Sequence, residues 1–247
     1  MLRKRVVTVL TFNDGVLFRT KLFQPDYRYT LNFVDAWSVD EVVILDVTRP
    51  GQGKRENFED VVASFARRCF VPVSAGGGIR SIEDVRRFMA LGADKVVVNT
   101  GAIERPELIT EIASQYGAQC VVLSVDAKPE PAGGYQVYSQ CGQTPTGFLA
   151  ADWAKRGVEL GAGEVLITAM EKDGWLQGYD LDLCRHVVEA VPVPVLALGG
   201  AGTWQHMVDV FNIGVDAACT QNIYHFTETS IKSAKNYLSN KGILVRI

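Results

Sequence analysis

Histidine occurs only three times in 247 residues, at His186, His206 and His225, and no two have the spacing of a metal site. The five cysteines (Cys69, Cys120, Cys141, Cys184, Cys219) are scattered without a CxxC pair. That usage reads as reduced thiols in a cytoplasm, with neither a metal nor another cofactor expected. No apolar run approaches the ~18 residues of a membrane span. Basic residues are not in excess, and a net charge of −3 argues against a nucleic-acid binder. The opening MLRKRVV is charged but leads directly into a short strand, unlike a secretory signal. Linkers and low-complexity tracts are missing as well, so composition gives no domain boundary.

What the chain does have is alternation. Short β-branched runs (RVVTVL, EVVILDV, VPVSAGG, KVVVNT, VVLSVD, EVLITAM, VPVLALGG, AACTQN) are separated by stretches with helical periodicity, such as NFEDVVASFARRC and SIEDVRRFMALGAD. Ser81 followed by Asp84 is a helix-start signal. Runs this continuously apolar fit a parallel sheet buried on both faces. Eight βα units in this length predict a (β/α)₈ barrel, residues 1–247 as one domain. A doubly wound open sheet is the competitor, but it would place a glycine-rich turn after the first strand, where the chain has Leu10 to Gly15.

An internal repeat favours the barrel. VPVSAGGGIRSIEDVRRFMALGAD from Val71 aligns without a gap on VPVLALGGAGTWQHMVDVFNIGVD from Val193, an offset of 122. The expected organisation is two half-barrels, about 1–118 and 119–247. VVTVLT and VVLSVD also align, ending in Thr11 and Asp126 respectively.

In a barrel, chemistry gathers where strands pass into βα loops. Two glycine clusters fall there, AGGGI (Ala75 to Ile79) and LGGAG (Leu198 to Gly202), and glycine lets backbone N–H groups approach an anion. The next strands end in Asn99-Thr100 and Gln221-Asn222. Tight turns alone would explain the glycines, but their repetition with polar strand ends points to two phosphate pockets and a substrate phosphorylated at both ends. Asp46, Asp126, Thr168 and Asp173 also fall at strand ends or in the loops beyond, Asp126 being the acid–base candidate and Asp173 more plainly a loop cap. Trp175 reads as a loop anchor or a substrate lid. At the opposite ends Arg5, Glu41, Lys95 and Glu164 each begin a strand, as a closed charged ring or a solvated rim.

Taken with LGADKVVVNT, VVLSVDAK, GAGEVLIT, DGWLQGYD, GGAG and His225-Phe226, these residues make the whole chain resemble the cyclase subunit of imidazole glycerol phosphate synthase. The resemblance implies a histidine-pathway barrel that receives ammonia from a glutaminase subunit docked on the floor. It would turn over a phosphorylated small molecule. It also implies a gate of Arg5, Glu41, Lys95 and Glu164, and a docking contact at Asp94. One phosphate site would be Gly78, Asn99 and Thr100. The other would be Gly174, Gly200, Gln221 and Asn222, the last two larger than the family's residues. The family's two catalytic aspartates map onto Asp126 and Thr11, and its loop lysine onto Arg19, in the atypical loop FRTKLFQPDYRYTLNF. Asp14, three residues beyond Thr11, is not placed to substitute.

That departure is similar to the specialised copies of this barrel in surface-polysaccharide (lipopolysaccharide) loci, which supply ammonia to a third, sugar-amidating protein. The expected function is therefore an ammonia-channelling amidotransferase subunit. A genuine cyclase of lyase type and a non-catalytic conduit remain as alternatives. Neither nucleic acid nor membrane is expected as a partner.

Overall fold

The structure is a computed structural model that describes residues 3–28, 39–49, 51–131, 133–221 and 231–246. Eight parallel strands form a closed sheet: β1 (Arg5–Asn13), β2 (Glu41–Asp46), β3 (Val73–Gly76), β4 (Lys95–Val98), β5 (Val121–Pro129), β6 (Glu164–Ala169), β7 (Val195–Leu198) and β8 (Ala217–Thr220). The ring closes between β5 and β6, where Thr168 pairs with Asp126, and between β8 and β1, where Arg5 pairs with Ala217. This is the (β/α)₈ barrel that the alternation predicts. No described helix is long and apolar enough to cross a membrane.

The strands are apolar on both faces because both are buried. Val7, Val9, Val43, Val97, Val122, Leu166 and Leu196 pack inside the barrel, while Val6, Val42, Ile44 and Val165 face the helices. Helix α1 (Arg55–Arg68) brings Phe58 and Phe65 onto Phe12, each with ring centroids 6.0 Å from it. Each fully buried aromatic of this kind contributes roughly 1.5–3 kcal/mol. Helix α2 (Ile82–Ala90) starts at Ser81 with a reciprocal cap: the Asp84 N–H donates to Ser81 Oγ (3.3 Å) and the Ser81 N–H to Asp84 Oδ2 (3.0 Å).

Two strands run past the barrel. β1 turns at Asp14-Gly15 into an antiparallel hairpin with Val16–Lys21, and β5 pairs antiparallel with Tyr135–Ser139, which pairs in turn with Thr144–Leu149. Both hairpins rise from the C-terminal end. Their tips meet there, since a Cβ on Gly142 would lie 3.1 Å from the Phe23 ring.

Candidate functional site

A cavity of about 550 Å³ opens at the C-terminal ends of the strands. Its lining brings together Thr11 (β1), Asp46 (β2), Gly78 after β3, Asn99 and Thr100 after β4, Asp126 (β5), Asp173 after β6 and Gln221 after β8. Parallel strands all deliver their last inward residue to the same end, which is why residues so far apart in sequence share one site.

Asp126 sits deepest in the chemistry. Its Oδ2 accepts a hydrogen bond from Asn99 Nδ2 at 2.8 Å. Burial pushes its carboxyl up to about 7; the nearby Asp173 charge adds to this, while hydrogen bonds from Thr168, Ser124 and Asn99 pull the other way. A carboxyl poised near neutrality suits proton transfer. Asn99 lines the cavity with Gly78, as expected of its strand end, and directs its amide N–H at this carboxyl.

Thr11 is buried, and its hydroxyl donates to the Phe18 carbonyl at 2.7 Å, tying the β1 hairpin back on its own strand. That proton is committed to the fold. Asp14 lies in the hairpin turn, where its Oδ1 accepts from the Lys54 N–H (2.9 Å) and Asn57 Nδ2 (2.7 Å), and it is not among the residues lining the cavity. Asp14 therefore supplies no carboxylate to the cavity beside Thr11.

The two glycine turns are not equally open. Gly77 has φ +115°, and a Cβ there would lie 2.4 Å from the Asp46 carbonyl, so only glycine lets this turn pack on β2. Gly77 and Gly78 line the cavity, together with Arg49 and Lys54. Asp46 Oδ1 accepts from the Thr48 N–H (2.9 Å), bracing the same loop. Thr100 Oγ1 accepts from the Gln140 N–H (2.9 Å), so the tip of the β5 hairpin reaches over this side. Gly174 and Gly200 stand outside the lining. A Cβ on Gly200 would meet the Gly178 carbonyl at 2.0 Å, and the Gly178 N–H donates to the Gly200 carbonyl at 2.7 Å. Within the lining, the Thr20 hydroxyl is shared by Asp173 Oδ1 (3.2 Å) and Gln221 Oε1 (3.1 Å), and the Phe23 N–H donates to Asp173 Oδ2 (3.1 Å). Burial raises Asp173 too, against the hydrogen bonds from Phe23 and Thr20. Trp175 is exposed, with Lys21 Nζ 4.5 Å from its ring centroid. Asn222, the His225-Phe226 pair and the Arg19 side chain lie outside the described residues.

At the floor the four strand-start charges form a closed ring. Arg5 reaches Glu41 at 2.7 Å and Glu164 at 2.9 Å; Lys95 reaches Glu41 at 3.0 Å and Glu164 at 2.8 Å. Ser74 Oγ donates to Glu41 Oε1 at 2.7 Å. Burial acts to lower the Arg5 pKa, but the two glutamates outweigh it and hold the guanidinium above its ordinary value. Each charge is neutralised by two neighbours, as partly buried ions require. Asp94 is exposed on the same floor, its Oδ2 accepting from the Val73 N–H at 2.8 Å.

Sequence reasoning missed Arg49, Lys54 and the two hairpins. Asp14-Gly15 between β-branched runs is a hairpin signal, and Gly133-Gly134 is another. The cations carried no signal, because only the folded β2 loop turns them toward the cavity.

The family model described as "Histidine biosynthesis protein" matches residues 4–230. Among curated proteins, the chain is 43% identical over 253 residues to "Imidazole glycerol phosphate synthase subunit HisF" of Halalkalibacterium halodurans, covering 100% of both chains.

Proposed function

The chain belongs to the histidine-biosynthesis family of HisF-like barrels, and from that premise we propose that it is the ammonia-accepting subunit of a two-subunit glutamine amidotransferase, serving amidation of a sugar in surface-polysaccharide synthesis. The observation that carries this reading is the contrast within one barrel: a complete charged ring at the floor, and a mouth in which Thr11, the position the family resemblance gives to a second catalytic aspartate, has its hydroxyl bound to the Phe18 carbonyl. The ring would admit ammonia from a glutaminase docked near Asp94, while Asp126 alone handles protons. Gly78 and Thr100, with Arg49 and Lys54 close by, would take a phosphate of the acceptor. The matching hairpins after β1 and β5 support a chain built from two half-barrels dividing near residue 118.

Cyclase activity in histidine biosynthesis is the second reading, favoured by full-length identity to a HisF subunit. An ammonia-dependent cyclase assay of the purified protein, wild type beside Thr11→Asp, separates the two. Negligible wild-type turnover is expected. A rate like that of an authentic cyclase, abolished by Asp126→Asn, would reject the amidation reading.

A further inference from the structure

Arg5 stands at the start of β1 and Glu41 at the start of β2, so the ring depends on how these two strand ends are held together. Asp40 holds them. Its Oδ2 accepts from the Val6 N–H at 2.8 Å, and its own N–H donates to the Val6 carbonyl at 3.0 Å. Asp94 and Asp216 make the same stitch on the N–H groups of Val73 (2.8 Å) and Val195 (3.1 Å). Asp40 differs from both. It is buried, and its Oδ1 binds Lys235 Nζ at 2.8 Å, a cation brought in by the C-terminal helix Ile231–Asn240. Lys235 is itself only 6% exposed. By contrast, Asp216 meets Lys4 at 3.3 Å in a partly exposed pair, and Asp94 is exposed. A buried ion pair gains little for stability over apolar packing, and its best-attested use is to fix register.

We propose that Lys235 is a positioning residue for the floor ring: through Asp40 it sets the β1–β2 alignment that lets Arg5 meet Glu41. Each link is short. Lys235 holds Asp40, Asp40 holds Val6 by side chain and backbone, and the adjoining Arg5 and Glu41 close the ring at 2.7 Å. Glu41 has little freedom to follow a moving strand, being 1% exposed and already accepting from Arg5, Lys95 and Ser74. A shift at the start of β1 therefore breaks the ring at Arg5. The chain beyond the helix returns to the same strand, where the Lys4 N–H donates to the Leu244 carbonyl (2.7 Å). The C-terminal region thus bears on β1 at two points without supplying a ring residue. Inside the bore, Cys219 pairs in register with Val7, fully buried and close enough for Glu41, Arg5 and Glu164 to act on its thiol. Cys184 is buried too, but in the layer between sheet and helices. These two thiols separate opening of the ring from loosening of the whole fold. The role deepens the ammonia-subunit reading and rests on it for its purpose, but not for its existence.

The test needs neither glutaminase nor sugar, so its failure and the failure of the amidation reading are distinguishable. The purified chain is exposed to methyl methanethiosulfonate, a small neutral thiol reagent, and labelling of each cysteine is timed by peptide mass spectrometry. In the wild type Cys219 and Cys184 should both react far more slowly than the half-buried Cys69. Lys235→Met removes the cation at similar volume and should speed Cys219 about tenfold relative to Cys184, the scale of one hydrogen bond to a charged group. The double variant, Asp40→Asn with Lys235→Met, leaves no buried charge unpaired and keeps an acceptor for the Val6 N–H. Its melting temperature should recover while Cys219 stays fast, and it reads out even where the single variant folds badly. Equal acceleration of the two thiols would make the pair a plain brace and overturn the proposal. So would unchanged labelling in both variants, protection of Cys219 that returns with stability in the double variant, or a wild-type Cys219 as reactive as Cys69.

Discussion

The floor and the mouth of this barrel are built on opposite terms. At the floor, Arg5 and Lys95 each bridge both Glu41 and Glu164, so no charge is left with a single partner. At the mouth, Asp126 shares its cavity with a threonine whose hydroxyl is already spent on the Phe18 carbonyl. A charged ring is costly to desolvate, and its completeness gains little for stability over well-packed apolar residues. Under the proposed function, a complete ring beside a mouth that pairs Asp126 with Thr11 would serve delivery through the barrel more than cyclisation at its mouth.

The largest expected effect lies at the mouth. Thr11→Asp, introduced alone, should raise ammonia-dependent cyclase turnover by about 10²-fold or more, the scale of one acid–base group. The substitution also removes the bond to Phe18 and sets a carboxylate near its carbonyl, so the gain should come with a lower melting temperature. Steady-state assay and calorimetry on the same sample measure both. If turnover stays flat while the fold survives, the mouth has lost more than one group.

Next comes the floor. Lys95→Ala leaves Glu41 and Glu164 facing each other with only Arg5 between them. The cost should be about 3 kcal/mol, somewhat discounted because the lysine is partly exposed. For a chain this long that lowers the melting temperature by roughly 6–12 °C. With a glutaminase bound, glutamine use should uncouple from product while the response to free ammonia persists. Equal loss with both nitrogen sources would make the ring a structural brace instead.

How far these two regions could be read in advance differs for a physical reason. The four charges stand in the sequence at strand starts, where β-strand register carries each to the same depth. That placement alone fits a closed ring and a solvated rim equally, and only the folded contacts close it. The (β/α)₈ fold was visible through apolar runs and the 122-residue repeat. At the mouth, Thr11 and Asp126 are legible through the separate alignment of VVTVLT with VVLSVD, but the fate of the Thr11 hydroxyl is not. It depends on the hairpin to Phe18, and the Asp14-Gly15 turn that makes it carries no mark of which hydroxyl it will bind. Asn99 is legible at its strand end and lines the cavity with Gly78, whereas its bond to Asp126 is visible only in the folded structure.

A smaller effect concerns pH. The Asp126 carboxyl is raised from the ordinary 3.8 to about 7, so the folded state binds its proton more tightly than the unfolded chain does. Stability contributed here is therefore greatest below the unfolded value and falls as pH rises between the two, reaching its full penalty above about 7. Asp126→Asn should remove that slope, making the variant relatively more stable at pH 8 than at pH 4. Parallel melting curves across that range check it, and identical slopes would show that the carboxyl is solvated after all.

The smallest effect separates the two glycine turns within the mouth. Phosphate should bind the Gly78 turn, which opens to the cavity beside Arg49 and Lys54, more tightly than the Gly200 turn. The latter is covered by the Gly178 segment, and nearby in the cavity Gln221 takes part of the Thr20 hydroxyl. Gln221→Ser shortens the side chain that the resemblance places at this second site and frees the Thr20 hydroxyl, which then serves Asp173 alone. One such hydrogen bond contributes about 1 kcal/mol, so phosphate binding at the second turn should improve by roughly fivefold, with the first unchanged. Crystals of both proteins soaked in a phosphate series would show the order of filling directly. Equal occupancy of the two turns in the wild type would mean that the Gly178 segment yields to an anion, and that this mouth treats both ends of its substrate alike.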